Sequence, residues 1–466
     1  MRHPILLVTL CCFCALPALG MTYFMSSSGL DSNNGTSSSP WLTPNHVGLE
    51  CGDSITAAPG NYAAMTISST PTCATHGAVR VQCAVFDTCK INQAVYSQGG
   101  ILVQASYWAF LGWEVSANSG QYAACYQATP NGSPIHDIYF INDIANYCMA
   151  GGFIAANGVD YFAVVADIAY NTANGSAYCY SGVSVYQPVA TDEQPGTHIY
   201  VSQVFTWQNL EPPTCNGGTS TDGEGVIFDT FNGSQGGFPP YAQQAVIDNV
   251  LAIFNGAAGL YVGGSGNSNA PIYIRHSTAY GNFINTNQQQ TLCGQIESIG
   301  YPPTSAANAN NYTQMYLTLA VPSGTTEPGC GSNPAYAYYF GNVNSTDGVY
   351  NSAGYSSSSY NLGTTANTTG FVTGPNNVFG TNPGFPNPVE PPAPSCGSST
   401  SVINCMATVI ANFKPTNTAL ANYGYQPPRT TPVYDPLFPQ WLCNLNLPAG
   451  LVTMGCVDLV LKLSIP

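Results

Sequence analysis

Apolar residues in this chain recur in short runs that break at polar corners. Five segments share one frame: INDIANY from Ile141, VADIAYN from Val165, VSQVFTW from Val201, IDNVLAI from Ile247 and IRHSTAY from Ile274. Each reads as a short strand, a polar corner and a further apolar residue. Four are followed by a second strand that opens with glycine: GFIA from Gly152, GVSVY from Gly182, GVIFD from Gly225 and GLYVG from Gly259. The first strands begin 24, 36, 46 and 27 residues apart, which is one coil plus insertions of varying size.

A unit of this kind cannot bury its own apolar face, but copies stacked about 4.8 Å apart build a continuous core with in-register hydrogen bonds. The predicted fold is therefore all-β, a right-handed parallel β-helix (a single-stranded solenoid) with coils between Gly99 and Tyr355. No interval holds an amphipathic helix of about 10 residues, which excludes a βα solenoid. A β-sandwich needs antiparallel hairpins and would not repeat one corner motif. The frame puts Asp143, Asp167, Gln203, Asn249 and His276 in one corner column, where side chains can bond to turn backbone and to each other. His276 is read as a member of that ladder, with a catalytic or metal-binding role as the alternative.

Composition agrees with many short strands. Charged residues are 6% of 466, and polarity is carried instead by Ser, Thr, Asn and Gln; there are 48 Gly, 35 Pro and 30 Tyr. Surface helices normally carry Lys and Glu, so few are expected. Aromatics at 12% argue against disorder outside the linkers.

Arg2 and His3 precede an apolar stretch from Pro4 to Leu16, and Ala18-Leu19-Gly20 supplies small residues at the positions that a signal peptidase reads. Residues 1–20 are expected to be a signal peptide cleaved after Gly20, giving a secreted protein. The run is shorter than the ~20 residues that span a bilayer, so no membrane partner is expected. Three of the 17 cysteines lie in that leader, and the remaining 14 include no CxxC pair, which favours disulfides over zinc. Cys396 with Cys405 and Cys443 with Cys456 are predicted staples, and Cys51, Cys73, Cys83 and Cys89 are expected to pair among themselves. Without the leader, six Lys and Arg face 22 Asp and Glu, a net charge of −16. Nucleic acid is thereby excluded as a partner. A polyanionic polysaccharide would be repelled unless a cation intervened. A monomer is expected.

The stretches YFMSSSGLDSNNGTSSSPW from Tyr23 and CGDSITAAPGNYAAMTI from Cys51 resemble the opening segment of secreted right-handed β-helix proteins of the pectate-lyase-like superfamily. There it reads as a strand, an SGxDxNxGT turn and a GDxIxxxPGxY lead into the first coil. The resemblance spans most of residues 21–385 and implies fold, not a particular activity. Residues 386–466 are expected to form a Pro-rich strap and a C-terminal cap over the open end of the helix. Within them INCMATVIANF from Ile403 suits one short helix, and Phe438 and Trp441 mark either cap packing or a sugar-binding patch.

Chemistry concentrates at Asp222, Glu224 and Asp229, where alternation along the strand points Asp229 outward and places the other two at its corner. Close like charges raise one another's pKa. These carboxylates suit an acid–base pair for glycoside hydrolysis, since residues two apart on a strand are separated by about 6.5–7 Å. The same oxygens would suit calcium, the one cofactor considered. In the lyases that the fold resembles, calcium commonly neutralises a uronate while Lys or Arg removes the proton. Arg275, the sole Arg or Lys within the coils, is a candidate for that role, with an ion pair to Asp248 as the alternative. Trp207, Tyr186 and Tyr261 are candidate sugar-stacking residues. The expected function is a secreted carbohydrate-active protein that hydrolyses a polysaccharide. A calcium-dependent lyase and a non-catalytic glycan-binding or structural β-helix are the alternatives.

Overall fold

The computed structural model describes residues 20–92, 99–116, 123–175, 178–218, 220–233, 237–263, 271–287, 293–298, 313–339, 362–363, 378–379, 381–426 and 435–445. The predicted leader lies outside them, apart from Gly20.

Three sheets form from strands between Thr22 and Phe379, with ten, nine and eleven strands among the described residues, and every strand pair is parallel. Each coil gives one strand to each sheet, so sequence neighbours belong to different sheets and spatial neighbours to successive coils. This is the expected parallel β-helix.

The first sheet shows how the sequence builds it. Phe110, Phe140, Val164, Val201, Ile247 and Ile274 stand in one register column across six coils. All are fully buried in the central core. On the opposite face, Tyr139, Ala163, Tyr200 and Val246 form a second column. Phe438, Trp441 and Leu442 of the C-terminal segment cover that column. The third sheet is covered likewise: Ile144, Ile168, Phe205 and Leu251 pack under Val402, Met406, Phe413 and Tyr425. The described C-terminal residues thus run as a strap along two flanks of the helix. The helix expected near Ile403 is present as two short pieces, Val402–Cys405 and Ala407–Asn412.

The corner column differs from the expected one at two of its five members, each shifted by one position. Ile141, Val165, Ser202, Asp248 and Arg275 are register partners, so the next column is Asn142, Ala166, Gln203, Asn249 and His276. All five have positive φ, between 46° and 60°, a left-handed turn that Asn tolerates best after Gly. Asp143 and Asp167 sit one place further on, level with Val204 and Val250, and point into the stack. There Asp143 accepts the Trp113 and Ile141 amides, and Asp167 accepts the Asp143 amide. Burial pushes both carboxyls well up.

A second ladder was not anticipated. The Asn209 amide donates to Asn255 (2.8 Å), Asn255 donates to Asn282 (3.0 Å), and Asn282 donates to Gln295 (2.9 Å), all fully buried.

Disulfides join Cys51–Cys73, Cys83–Cys89, Cys125–Cys148, Cys179–Cys215, Cys293–Cys330 and Cys396–Cys405. Cys443 is also disulfide-bonded, and Cys456 lies outside the described residues. This density is that of an oxidising compartment. No described helix is long and apolar enough to cross a membrane.

Asn255 bonds to ladder members on both sides and to Thr206. Asn255→Ala should therefore leave several buried polar groups unmatched and cost about 2–4 kcal/mol. Denaturant unfolding would measure this; a loss within experimental error would mean that the ladder does not hold the coils together.

Candidate functional site

The strands of the first sheet are kinked where they begin. Register pairs Ile138 with Trp108 and Phe162, and Phe162 with Ile199, which places Tyr107, Asp137, Tyr161 and His198 in one column over four coils. Tyr107, Asp137 and Tyr161 have positive φ (72°, 59° and 43°), and the register breaks at His198, between Thr197 and Ile199. Backbone held in this sparsely populated region is common where side chains must be aimed at a site. The neighbouring column supplies His136 and Asp160.

Tyr107, His136, Tyr161 and His198 floor a cleft of about 1120 Å³, with Asp137 and Asp160 buried beneath them. One wall is the segment around Thr75 and His76, pinned by the Cys51–Cys73 disulfide; a second is the loop from Thr191 to Gly196. The third is the strap, through Phe438, Trp441 and Asn444. The Trp441 indole donates to the Thr197 carbonyl (2.7 Å) and stacks on Tyr139, while Asn444 donates to the His76 carbonyl (2.8 Å).

Three imidazoles face carboxylates here. His136 Nδ1 and His76 Nδ1 lie 2.7 and 3.0 Å from the same oxygen, Asp137 Oδ2, and the Tyr139 hydroxyl donates to Oδ1. Burial opposes ionisation of Asp137, yet the hydrogen bonds from His136, His76 and Tyr139 outweigh it and hold the carboxyl below its usual range. The same bond to Asp137 raises His76, whose Nε2 is 3.5 Å from Asp192 Oδ2. Asp192 accepts the Tyr161 hydroxyl (2.8 Å) and the Gln194 amide (2.9 Å). Partial burial pushes its carboxyl upward, but these bonds win and its pKa is lowered. Tyr161 is clamped between His76 and His198, with both ring centroids 3.9 Å away, and burial together with Asp192 raises its phenol. His198 is fixed at both nitrogens, by Asp160 (3.0 Å) and the Gln194 carbonyl (2.9 Å). Asp160 also accepts Tyr241 and both the amide and hydroxyl of Thr191, which holds the Asp192 loop in place.

None of the cleft's histidines or aspartates was singled out from the sequence. One signal was present: IHDIY at Ile135 and THIY at Thr197 repeat a histidine ahead of Ile-Tyr.

The residues that the sequence did suggest fall elsewhere. Asp222, Glu224 and Asp229 do come together, at the second sheet, and Glu211 joins them; Glu297 stands one coil on, as the register partner of Tyr261. Glu211 accepts the Asp222 and Tyr180 amides and the Ser220 hydroxyl, and Glu224 accepts the Ser181 hydroxyl. Burial and mutual repulsion push Asp222 to about 7 and Glu211 to about 8, and also raise Glu224; burial raises Asp229. Tyr186 lies beside Asp229, and Tyr261 beside Ile227, both half-buried. Oxygen donors for a hard cation such as calcium would come from Asp222, Glu224 and Asp229. Arg275 and His276 are on the first sheet, not with these acids. Arg275 pairs with Asp248 (2.9 Å) and with Asp435 of the strap, and His276 Nδ1 is 3.3 Å from Asp248. Arg275 is thus a structural latch rather than a proton-abstracting base. Trp207, expected to stack on sugar, is 1% exposed beneath the strap and cannot meet a ligand.

Glu297 is fully buried; Oε1 accepts the Gly294 amide, while Oε2 has no hydrogen-bond partner among the described residues. Burial pushes it up to about 8. A carboxyl whose pKa is raised on folding contributes stability that is present below the unfolded value and lost as pH rises through the folded one. Melting temperature should therefore fall between about pH 5 and pH 8, and Glu297→Gln should flatten part of that slope, by an amount on the order of a few kcal/mol at the alkaline end. An unchanged slope in the variant would assign the effect to other groups.

No family model matches the sequence, and no curated protein matches it. Among solved structures, the chain is similar to pectate lyase Pel9A, at 18% identity over 69% of this chain and 75% of that one, with a TM-score of 0.39. It is also similar to a rhamnogalacturonan lyase, at 16% identity over 56% of this chain and 74% of that one, with a TM-score of 0.35. The three parallel sheets are those of a parallel β-helix.

Proposed function

We propose that this protein is a secreted carbohydrate-active enzyme that cleaves a polysaccharide by β-elimination in the cleft between the first sheet and the C-terminal strap. The observation that carries this reading is the set of ionisable groups lining the cleft. Among the described residues, three histidines and two tyrosines line it beside a single acid, Asp192, whereas Asp137 and Asp160 are buried beneath. Glycoside hydrolysis ordinarily uses two carboxyl groups that flank the scissile bond. Elimination needs one proton acceptor, one donor and positive charge opposite the substrate's carboxylate.

The roles follow from exposure and charge. Asp192, held ionised by Tyr161 and the Gln194 amide, accepts the proton from the carbon next to a uronate carboxylate. The electron pair of that C–H bond forms a C=C bond, and the glycosidic C–O bond breaks. Tyr107, whose phenol burial raises further, stays protonated and donates to the leaving oxygen. His76, raised by its bond to Asp137, opposes the anionic group, and His136 is partly exposed beside it. Phe438 and Trp441 close the wall. The strongly acidic chain would otherwise repel a uronate polymer, and His76, raised by Asp137, offsets this locally.

A second reading keeps hydrolysis at the acidic cluster, because a carboxyl at about 7, as at Asp222, is poised as a general acid.

One comparison separates them. Purified protein is incubated with a panel of neutral and uronate polysaccharides while ultraviolet absorbance of unsaturated ends and total reducing ends are followed. Absorbance should rise with reducing ends, and Asp192→Asn and Tyr107→Phe should each lower kcat by about 10²–10⁴-fold. Asp222→Asn combined with Glu224→Gln should leave it unchanged. Reducing ends without absorbance, or activity that survives Asp192→Asn and dies in the double variant, would hand the reaction to the second sheet.

A further inference from the structure

We propose that His76, His136 and Asp137 bind a divalent transition metal ion, zinc in the simplest case, at the floor of the cleft. The three side chains offer ligand atoms that all lie within 4.8 Å of one another. Both imidazoles turn the same nitrogen, Nδ1, toward the same oxygen, Asp137 Oδ2. A metal about 2.0–2.2 Å from each donor would fit after the two half-exposed rings open by a few tenths of an ångström.

The donor set selects the class of ion. Two imidazoles and a carboxylate suit zinc and its neighbours, whereas calcium and magnesium prefer oxygen throughout. The surroundings match what such ligands need. A metal-bound imidazole usually gives its other nitrogen to a carboxylate, and His76 Nε2 faces Asp192 at 3.5 Å. The second oxygen of Asp137 is oriented by the Tyr139 hydroxyl, and Asn444 fixes the backbone of His76. Asp137 is fully buried while both histidines remain partly open, so the unfilled side of the triad faces the cleft. Three protein ligands with one open side are the arrangement of sites where a metal meets substrate. The acidic chain favours the approach of any cation.

The placement deepens the proposed reaction, and rests on it only for what the ion would do: it would put positive charge beside Asp192, where a uronate carboxylate would lie. Binding itself is independent of that reading and is tested without activity. The full-length secreted protein is stripped with a chelator, dialysed against zinc or cobalt(II), and assayed for bound metal and for cobalt absorption. One ion per chain is expected, with bands of nitrogen and oxygen coordination. His76→Ala and His136→Ala should each weaken binding by more than the ~10–100-fold expected for Asp192→Asn, an outer partner. The Asp222→Asn, Glu224→Gln protein should bind as the parent does.

Failure to retain stoichiometric metal, or retention untouched by both histidine variants, overturns the site. Loss of binding only in the acidic-cluster variant does so too. Circular dichroism checks each fold; if a variant unfolds, the cobalt spectrum of the parent decides, and absence of imidazole coordination rejects the proposal. Metal without polysaccharide cleavage would keep the site and remove the reaction, and cleavage without metal would do the reverse.

Discussion

Everything in this molecule depends on the hydrogen-bonded stacking of one coil on the next. A single coil leaves its apolar side chains at the edge of an open ring, and only the coils above and below close them off. Register is therefore a constraint shared by all three sheets at once: a slip of one residue in any strand would turn its inward residues outward. The corners enforce it. Asn142, Ala166, Gln203, Asn249 and His276 all take a left-handed conformation at the same place in successive coils, so the chain turns identically although the side chains differ. Buried amides from Asn209 through Asn255 to Asn282 then tie coil to coil, each donating to the next, and Asn282 donates to Gln295 of its own coil.

The same constraint decides where variation is allowed. Insertions fall at corners because a strand cannot lengthen without breaking register, and the loops of the cleft are such insertions. The segment from Thr191 to Gly196 belongs to the long interval before the strand Thr197–Ser202. It returns to the sheet by bonding Thr191 to Asp160 and Gln194 to His198. The kink that carries Tyr107, Asp137, Tyr161 and His198 is a local departure from ideal strand geometry, copied from coil to coil because the stack transmits it. Left-handed backbone at Tyr107, Asp137 and Tyr161 and a register break at His198 thereby fall at one level of successive coils, with Tyr107, Tyr161 and His198 lining the cleft and Asp137 beneath it.

How much of this the sequence discloses follows from what is local and what is not. Strand identity is local, and the frame shared by Ile141, Val165, Val201, Ile247 and Ile274 shows it. The phase of that frame is set by neighbouring coils. Matching apolar residues aligned Val165 with Val201, whereas the stack pairs Val165 with Ser202, because the corner conformation rather than hydrophobicity fixes the turn. Asn209, Asn255 and Asn282 form one ladder, yet they occur in the unlike contexts QNL, FNG and GNF. The acidic cluster was legible because Asp222, Glu224 and Asp229 are close in sequence. The cleft was not, since its walls come from His76, Asp192 and Trp441, which only the stack and the strap bring together. Trp207 looked like a ligand platform for the same reason: nothing local reveals that the C-terminal segment lies over it.

The scarcity of cations explains the character of the cleft. A chain with seven Lys and Arg that commits Arg275 to hold its strap has few permanent positive charges to spend on chemistry. Imidazole is the remaining source, and an isolated imidazole is a weak one near neutral pH. Here buried carboxylates supply what the composition lacks. Asp137 gathers two rings, Asp160 fixes a third, and neither is itself open to the cleft. The acids make the histidines reliable in position, and the positive φ of Asp137 keeps its oxygen beneath both rings. The strong acidity of the chain and the histidine character of the cleft are thus two aspects of one arrangement, in which carboxylates are withdrawn beneath the surface so that the groups above them face outward.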